Sequence, residues 1–390
     1  MKKLYRKKKI ALFKLTGFGY RGGLEKFFLE FALFVKKHEL AHVDIITMDE
    51  NFSRKFSNLL NFYYLRKKNK VSNYFNNEEI EKKLNGILYR RATSFINLRE
   101  ILKEYDVIYT KNEIVEAFFL KFFIGYKNIP PITFGCHTQL HFKSCISMHE
   151  KIHNFLYGKF FYKFLTKGVR QFHVLNTYDK EILCKYGFSD NVFLIPNSFQ
   201  HDIFLKNLQT YKFGMQSVDD FYHIAWIGRL SKDKGVLYLK EIIEKCNKDI
   251  ENKIMWHIIG EGPDKCIFDK MSNEGINITI HGYVNNEYIP SLLSQCNLLV
   301  LTSKNETFGY TILEALSVNV PVIAFPAPGP KDVIADNYWG FLPETIDEFV
   351  KSIKNLVING FVIRSDASLI FERFKSSNIY PKLAKRIVGK

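Results

Sequence analysis

The chain has 390 residues, enough for two domains of ordinary size, and a hydrophobic content of 46% that supports buried cores. Its formal net charge is +16, and the whole excess lies in residues 1–200, which hold 34 of the 56 lysines and arginines but only 18 of the 40 aspartates and glutamates. With this distribution of charge, the surface formed by residues 1–200 is not neutral. It favours an anionic partner for the first half: a membrane surface, an acidic acceptor or nucleic acid.

Cysteine usage and hydropathy indicate the compartment. The six cysteines are scattered without a CxxC pair, which favours core thiols in a reducing environment. No apolar run is long enough to span a membrane. The apolar run after the basic N-terminus, residues 10–15, is too short for a signal peptide. We therefore expect a cytoplasmic protein, either free or peripheral on the inner face of the membrane.

The first half alternates apolar strands with helical stretches. Its first predicted strand covers residues 9–15, and a glycine-rich turn leads from it into a helix over 27–35. This alternation predicts one doubly wound α/β domain over residues 1–205. Further parallel strands are predicted at 43–48, 107–110, 132–136, 172–176 and 192–195.

The turn after the first strand reads T-G-F-G-Y-R-G-G-L-E, with Gly22 and Gly23 just before the helix. Glycines at this place let the backbone come close to a ligand at a helix N-terminus. The dinucleotide fingerprint G-x-G-x-x-G is only partly met, and no acidic residue is well placed about 20 positions later. The sequence therefore argues against a nicotinamide cofactor.

Two stretches of the first half, residues 58–70 and 153–170, interleave aromatic with basic residues. Such a pattern suits a helix lying in a lipid interface, with rings among the headgroups and cations on anionic lipid. A core-facing helix with a solvated lysine side fits the same pattern, so both interpretations stay open. The wider segment 51–83 lacks a clear strand and is predicted to be an insertion or a pair of surface helices.

A histidine, His137, follows the strand at 132–136 on its carboxyl side. Ligands of open parallel sheets bind at this edge, so His137 is a candidate for the functional site. A single histidine is as readily a structural residue, and the sequence does not decide between the two roles.

The second half begins after Pro196-Asn197-Ser198, with a predicted linker up to about residue 222. A second α/β domain is predicted over 206–365. It opens with a strand at 224–227, followed by Gly228, Arg229 and Lys234 on one loop before a helix. A guanidinium fork and an ammonium point charge on one loop suit a diphosphate, although charges on surface loops are commonly just solvated. Strands at 255–259 and 278–281 and helices at 290–296, 345–357 and 368–386 are also predicted.

A βαβ unit lies near the end of this domain: a strand at 298–302, a helix from about 309 to 317, and a strand at 320–325. Glu306 lies on the turn before the helix, and Glu314 lies in its second turn. The helix start offers free N–H groups and a positive dipole end to an anionic ligand.

The unit reads N-E-T-F-G-Y-T-I-L-E-A-L, and its E-x7-E spacing resembles the family-4 (GT4) retaining glycosyltransferases. Those proteins have the GT-B fold, in which two Rossmann-like doubly wound domains face each other across a cleft. The resemblance implies an N-terminal acceptor-binding domain and a C-terminal nucleotide-sugar-binding domain. It also implies a last helix, within residues 366–390, that crosses back to the first domain.

The resemblance assigns roles to particular residues. Glu306 would contact the donor sugar and Glu314 the ribose, while Arg229 and Lys234 would neutralise the phosphates. His137 would contact the donor sugar or the leaving phosphate. Two positions depart from the family pattern: Thr307 and Asn319 stand where glycine is usual, and a side chain at 307 would crowd the sugar pocket or select another sugar. The implied donor-binding set is Gly22, Gly23, Gly228, Thr307, Phe308, Gly309 and Glu314.

The predicted reaction moves a sugar, with retention, from a UDP- or GDP-linked donor to a glycan or lipid-linked acceptor in the synthesis of surface polysaccharide, lipopolysaccharide or glycolipid. No cofactor and no metal are expected, because Asp219-Asp220 lacks D-x-D spacing. Two alternatives remain: a GT-B-fold sugar epimerase or phosphorylase, and a non-enzymatic basic protein that binds nucleic acid. The latter is disfavoured because recognisable nucleic-acid-binding motifs are absent.

Overall fold

The computed structural model describes residues 6–15, 23–49, 84–142, 148–210, 220–249, 253–334, 340–359 and 368–389. The chain forms two compact units. Unit 1 comprises Met1–Asn197 and Ser376–Lys390, and unit 2 comprises Ser198–Lys375. The predicted insertion at 51–83 lies outside the described residues, as does the aromatic and basic stretch at 58–70.

Each unit is built on a sheet whose described strand pairs are all parallel. The order is β3-β2-β1-β4-β5-β6-β7 in unit 1 and β10-β9-β8-β11-β12-β13 in unit 2. Parallel strands need crossover connections, which the helices supply. The strands are β1 (Lys9–Lys14), β2 (His42–Met48), β3 (Tyr89–Ala92), β4 (Val107–Lys111), β5 (Ile132–Cys136), β6 (Gln171–Val174), β7 (Val192–Leu194), β8 (Tyr222–Ile227), β9 (Ile254–Ile259), β10 (Ile278–Gly282), β11 (Leu298–Leu301), β12 (Val322–Ala324) and β13 (Gly340–Phe341).

The α-helices of the described residues fall mostly between consecutive strands. A π-helical segment, Leu120–Ile124, continues the third of them. The helices are α1 (Gly23–Lys37), α2 (Phe95–Lys103), α3 (Ile114–Phe119), α4 (Met148–Leu156), α5 (Lys159–Thr166), α6 (Thr177–Lys185), α7 (His201–Thr210), α8 (Val236–Asp249), α9 (Cys266–Asn273), α10 (Ile289–Leu293), α11 (Tyr310–Ser317), α12 (Pro328–Val333), α13 (Ile346–Asn359), α14 (Ser368–Phe374) and α15 (Ser376–Val388). None of these described helices is long and apolar enough to cross a membrane.

The core of unit 1 has a layer on each face of its sheet. On β1, Ile10 and Leu12 face one layer, whereas Ala11 and Phe13 face the other, and all four are fully buried. Side chains alternate between faces along a strand, so a strand buried on both sides reads as a continuous apolar run. The last helix, α15, packs into one of these layers through residues such as Leu383.

The sheet of unit 2 is covered in the same way. Trp226 of β8 and Trp256 of β9 are almost completely buried in one cluster with residues of α8 and α13. Both tryptophans alternate along their strands with residues that face the opposite side of the sheet. Large aromatic side chains at these positions bury much apolar surface and stabilise the unit strongly.

Several predicted elements differ from the observed ones. The predicted linker to residue 222 begins with α7, and the predicted last helix is two helices that are separated at Lys375. The second of these opens on Ser376, a residue type that favours helix starts. Strands β3 and β13 were missed, because β3 reads YRRA and buries only Ala92, while β13 has two residues.

Candidate functional site

Two loops meet at the carboxyl edge of the unit 2 sheet. One follows β8 and carries Lys234, and the other follows β11 and carries Glu306. Their strands are neighbours, so both loops emerge side by side. The ammonium Nζ of Lys234 donates to the carboxylate Oε2 of Glu306 at 2.8 Å, and both side chains are half-buried. The structure thus brings together two of the predicted site residues, which lie 72 positions apart.

The loop with Lys234 is fixed by tight backbone packing. Gly235 has φ +78°, and a Cβ at this position would overlap the carbonyl oxygen of Thr302 at the end of β11. The hydroxyl of Thr302 lies 3.3 Å from the Lys234 carbonyl oxygen, to which it donates, and it accepts from Trp226 Nε1 at 3.0 Å. Only glycine combines this φ with this closeness, so it sets the position of Lys234.

The electrostatics of the pair favour the charged forms. Burial alone raises the pKa of Glu306, but the charge of Lys234 and the hydrogen bonds to the carboxylate outweigh it, so the pKa of Glu306 lies below its ordinary value. The charge of Glu306 in turn raises the pKa of Lys234 against the opposing effect of burial. At neutral pH Glu306 is therefore a carboxylate that accepts hydrogen bonds, and it does not serve as a proton donor.

The start of α11 holds the same carboxylate. Gly309, with φ +88°, precedes the helix, and the backbone N–H groups of Phe308 and Gly309 donate to Glu306. The carbonyl oxygen of Glu306 accepts from the N–H of Gly329 in α12 at 2.8 Å. These two N–H groups precede Tyr310, the first residue of α11, and bind the chain's own carboxylate, while the prediction that the helix start faces an anionic ligand stays a prediction. Glu306 is consequently held by both its side chain and its backbone.

Arg229 has different partners from Lys234. Its Nη2 donates to Asp233 Oδ2 at 2.7 Å and its Nε to Ser231 Oγ at 3.1 Å, all within the loop after β8. About half of the Arg229 side chain is exposed. Both cations therefore lie on one loop, as expected. Lys234 engages the neighbouring loop, whereas Arg229 engages its own.

The remaining predicted residues of unit 2 lie on the same two loops and on α11. Gly228 packs against the ring of Trp226, where an added Cβ would lie 3.1 Å from a ring atom. Phe308 is 4% exposed and packs against Tyr310, with ring centroids 4.8 Å apart. Thr307 and Glu314 are half-buried. The donor contacts of all four predicted residues stay predictions.

Sequence reasoning missed some residues at this edge. Lys304 Nζ lies 4.5 Å from the ring centroid of Tyr238 and 4.8 Å from that of Phe325, both within cation–π range. Asp233 was missed as the partner of Arg229, although the spacing of four residues was a usable signal. No sequence signal predicts the contacts of Lys304 with Tyr238 and Phe325, which lie 66 and 21 positions away in the chain.

In unit 1, His137 follows β5 and belongs to a chain of hydrogen bonds. The hydroxyl of Tyr109 in β4 lies 2.9 Å from His137 Nε2 and 2.7 Å from His173 Nδ1. His173 Nε2 lies 2.7 Å from the carbonyl oxygen of Ile195. Gly135 makes room for this arrangement, because a Cβ there would overlap the Tyr109 hydroxyl.

The direction of these hydrogen bonds follows from their last acceptor. The Ile195 carbonyl only accepts, so Nε2 of His173 carries a proton. Burial lowers the pKa of His173 to about 4 and raises the pKa of Tyr109 well above its ordinary value, so both side chains are neutral. Tyr109 then donates to His173 Nδ1 and accepts from His137 Nε2. His137, whose pKa burial also lowers, keeps a lone pair on Nδ1.

Buried charges occupy the point where the strand order of unit 1 reverses, between β1 and β4. Lys14 at the end of β1 pairs with Glu25 of α1, and Lys111 at the end of β4 pairs with Glu113. Burial, and then the charge of Glu113, raise the pKa of Glu116. Ligands of doubly wound sheets bind at such reversal points. The predicted Gly23 opens α1, while the predicted Gly22 lies outside the described residues.

No group of three or more His, Cys, Asp or Glu side chains in the described part of the chain is arranged to hold a metal ion. Residues 209–368 match the model of the family described as Glycosyl transferases group 1. The match contains both the loop of Lys234 and the loop of Glu306. Unit 2 is thus similar to this family over most of its length. Its ion pair therefore lies within the region that this family shares.

Two curated relatives are similar to parts of the chain. Alpha-D-kanosaminyltransferase of Streptomyces kanamyceticus is 28% identical over 145 residues, which is 36% of this chain and 37% of the relative. Poly(ribitol-phosphate) alpha-N-acetylglucosaminyltransferase of Staphylococcus aureus (strain COL) is 29% identical over 219 residues, or 54% of this chain and 40% of the relative. The chain thus spans less than half the length of these relatives.

Solved structures show the fold of the whole chain. Anabaena Alr3699/HepE in complex with UDP and glucose is similar with a TM-score of 0.70, at 16% identity, over 98% of this chain and 100% of that one. With two parallel-sheet α/β units and this structural likeness over nearly its whole length, the chain has the GT-B fold. This confirms the fold class that was predicted from the sequence.

Proposed function

We propose that the chain is a retaining glycosyltransferase of the GT4 type, which moves a sugar from a nucleotide-diphosphate sugar to an acceptor hydroxyl. The observation that carries this proposal is the pair of Lys234 and Glu306, placed at the carboxyl edge of the sheet in the region that matches the glycosyl transferases group 1 model. Parallel α/β sheets bind their ligands at this edge. The pair offers a cation for phosphate and a carboxylate for sugar hydroxyls.

In the proposed reaction, the bond between the anomeric carbon and the diphosphate oxygen breaks and its electron pair leaves with the diphosphate. A bond from the acceptor oxygen to the same carbon forms on the face that the diphosphate leaves, and the acceptor proton passes to the departing diphosphate oxygen. Lys234 and Arg229 stabilise the negative charge that develops on the diphosphate. Electrostatic stabilisation of this kind is commonly the largest contribution to catalysis.

Glu306 holds and stabilises the sugar in this proposal. Its pKa is lowered, so it presents negative charge near the anomeric centre, where positive charge develops as the bond breaks. Its attachment to the N–H groups of Phe308 and Gly309 keeps the carboxylate in place without reorganisation. Glu314, in the second turn of α11, is proposed to bind the ribose of the nucleotide.

His137 is proposed to accept a hydrogen bond from a sugar hydroxyl, whereas the predicted contact with the leaving phosphate does not fit this tautomer, because phosphate oxygens also only accept. Its Nδ1 has a lone pair because Nε2 donates to Tyr109. A neutral histidine accepts from a hydroxyl as readily as a carbonyl does, without adding charge. This role is independent of the proposal for Lys234 and Glu306.

The donor is proposed to be UDP-linked, with a GDP-linked sugar as the alternative. UDP is the nucleotide named in the similar Anabaena structure. The acceptor is proposed to be an anionic glycan or a lipid-linked sugar. Residues 1–200 carry the whole excess of positive charge, and the Staphylococcus aureus relative is named for poly(ribitol-phosphate), an anionic polymer. Assembly of a surface polysaccharide, lipopolysaccharide or glycolipid would supply such acceptors.

The test is a screen of UDP- and GDP-sugars for nucleotide release by the purified protein, with and without added glycan or lipid-linked acceptors. We expect acceptor-dependent release of the nucleoside diphosphate, and an anomeric proton coupling in the product that matches the donor. Glu306→Ala should abolish the turnover, whereas Glu344→Ala, at an exposed glutamate of the same unit, should not change it. Full activity of Glu306→Ala would refute the proposed site.

The same screen separates the alternatives. A phosphorylase would require inorganic phosphate in place of an acceptor, and an epimerase would release free sugar or a changed nucleotide sugar. Either result would retain the GT-B donor site but replace the proposed reaction. Binding of DNA without any turnover, weakened by salt, would favour a nucleic-acid-binding protein instead.

A further inference from the structure

Unit 1 exposes an unusual number of large aromatic side chains on neighbouring elements. Phe160 of α5 is 89% exposed, and Phe164, one helical turn later on the same face, is 54% exposed. Phe118 at the end of α3 and Phe122 in the π-helical segment are 44% and 52% exposed. We call these four side chains the aromatic patch. Monomeric soluble proteins rarely expose clustered apolar groups of this size without a partner.

Three members of the aromatic patch lie against one another across α5 and the continuous segment of α3 and the π-helix. The ring centroids of Phe118 and Phe122 are 4.7 Å apart, and those of Phe122 and Phe164 are 6.2 Å apart. Lys121 joins the elements, since its Nζ lies 4.4 Å from the ring centroid of Phe164 and donates to the carbonyl oxygen of that residue. The patch is therefore one continuous surface of α3, the π-helical segment and α5.

The exposure of these rings follows from the sequence of α5, KFFYKFLT. Tyr162 and Leu165 point into the core and are completely buried, which leaves Phe160 and Phe164 on the opposite side. The helix α4 continues the pattern, since its Phe155 is 77% exposed. Apolar side chains on the outer face of a helix are unfavourable in water, so this face fits an apolar partner.

The exposed charges of the described residues between 117 and 170 have one sign. Among the described residues between 117 and 170, Glu150 is the one acidic side chain, and it is buried. Burial, and then the nearby charge of Lys167, lower the pKa of Lys121. An anion bound close to both lysines would raise this pKa again. The lysines and arginines among the described residues of this region are Lys121, Lys127, Lys151, Lys159, Lys163, Lys167 and Arg170.

We propose that the aromatic patch docks this protein on an anionic lipid bilayer, with the phenylalanine rings among the headgroups and the surrounding lysines on lipid phosphates. Interfacial binding of this type combines buried apolar area with attraction to negative lipid. The surface uses the stretch 153–170 that was identified in the sequence, and it adds the segment of Phe118 and Phe122, which showed no such signal.

Two other partners fit less well. A second copy of the chain would place lysines against lysines in a symmetric contact, which like charges oppose. Single-stranded nucleic acid needs free ring faces for base stacking. Phe164 has Lys121 over its ring, and Phe118 and Phe122 lie against each other.

The experiment is sedimentation of the full chain with vesicles of phosphatidylglycerol mixed with phosphatidylcholine, compared with vesicles of phosphatidylcholine alone. We expect binding to the anionic vesicles that weakens with added salt. Phe160→Ser with Phe164→Ser should reduce it about tenfold or more. Lys163→Glu with Lys167→Glu should reduce it on anionic vesicles and leave the folded state unchanged, because both lysines are exposed.

Matched controls come from exposed residues of unit 2. Ile358 is 74% exposed and Lys270 lies on α9 with 78% of its side chain exposed, so Ile358→Ser and Lys270→Glu should leave vesicle binding unchanged. Failure to bind anionic vesicles would overturn the proposal. So would equal binding by patch and control variants, dimers that dissociate in the patch variants, or binding of single-stranded DNA that the patch variants abolish.

The vesicle assay needs neither donor nor acceptor. The aromatic patch belongs to unit 1 and the pair of Lys234 and Glu306 to unit 2. A negative vesicle result would therefore leave the proposed transfer reaction standing, and a failed transfer assay would leave the membrane surface standing. Normal turnover of a water-soluble acceptor by the Phe160→Ser, Phe164→Ser variant would show that the patch serves docking rather than catalysis.

Discussion

The ammonium group of Lys234 lies 2.8 Å from the carboxylate of Glu306, although the two residues are 72 positions apart in the chain. Parallel strands bring them together, because β8 and β11 are neighbours and both residues follow the carboxyl end of their strand. Each side chain shifts the pKa of the other toward the charged form. The pair is therefore both a structural link between two loops and a candidate ligand site.

A double-mutant cycle on this pair should show strong coupling. Lys234→Ala leaves the half-buried carboxylate without its cation, so we expect turnover of the nucleotide sugar to fall about a hundredfold or more. In the Lys234→Ala protein, the further substitution Glu306→Gln should lower turnover and stability much less than Glu306→Gln does in the wild-type protein. We expect a coupling energy of about 1–3 kcal/mol in the free energy of unfolding. Urea denaturation and initial rates measure both quantities.

The exposed pair of Lys240 and Glu244 on α8, at 2.7 Å, is the control for this cycle. Its coupling should be no more than about 0.5 kcal/mol. Additive effects at Lys234 and Glu306 would show that the two residues act separately, contrary to the proposed site.

Substitution of Gly235 should damage unit 2 more than substitution of Gly275, although both have left-handed backbone conformations, with φ +78° and +89°. An added Cβ at Gly275 meets nothing within 4 Å, so Gly275→Ala should cost about 1–2 kcal/mol from conformation alone. Gly235→Ala adds an overlap with the Thr302 carbonyl, and we expect a larger cost and a loss of donor binding. Tryptophan fluorescence reports this unfolding, since all three tryptophans belong to residues of unit 2. Equal costs would contradict the packing argument.

The parallel strands were predictable because each is a short apolar run between turn residues. Strand β4, for example, was predicted at 107–110 and is observed at Val107–Lys111. Strand β3 was not predictable, because an edge strand needs few buried side chains. Its sequence YRRA shows no alternation of apolar and polar residues. The break before Ser376 was also hidden, since both helices around it carry the same amphipathic pattern.

Residue types at the site were readable, but their partners were not. The sequence placed Arg229 and Lys234 on one loop, and only the fold shows that one binds Asp233 and the other Glu306. At Asn319 the sequence showed a departure from the usual glycine but not the backbone conformation that explains it. It stands where glycine is usual and has φ +61°, a left-handed conformation that asparagine tolerates better than other side chains.

Removal of the Tyr109 hydroxyl should change the chemistry of His137. In Tyr109→Phe, His137 Nε2 loses its acceptor and His173 Nδ1 loses its donor, so we expect a destabilisation of about 1–3 kcal/mol. We also expect kcat to fall about tenfold and its pH profile to shift, because His137 no longer has a fixed tautomer.

Tyr126→Phe is the matched control for this variant. It also removes a tyrosine hydroxyl with two hydrogen bonds, to the carbonyls of Ala117 at 3.1 Å and Leu165 at 3.0 Å. Similar destabilisation with an unchanged pH profile is expected. Indistinguishable kcat values and profiles in the two variants would show that the chain from His137 to His173 is purely structural.

The stability of unit 1 should depend on pH through His173. Burial lowers its folded-state pKa to about 4, against about 6.5 in the unfolded chain. Between these values the unfolded state binds more protons, so the free energy of unfolding rises with pH across this window. The contribution is complete above about pH 6.5, lost below about pH 4, and amounts to about 3 kcal/mol.

Urea unfolding followed by circular dichroism at several pH values should show this slope. His173→Gln should reduce this slope, part of which comes from the buried His137, whereas His42→Gln, at an exposed position, should leave it unchanged. An unaltered slope in His173→Gln would assign the pH dependence to other groups.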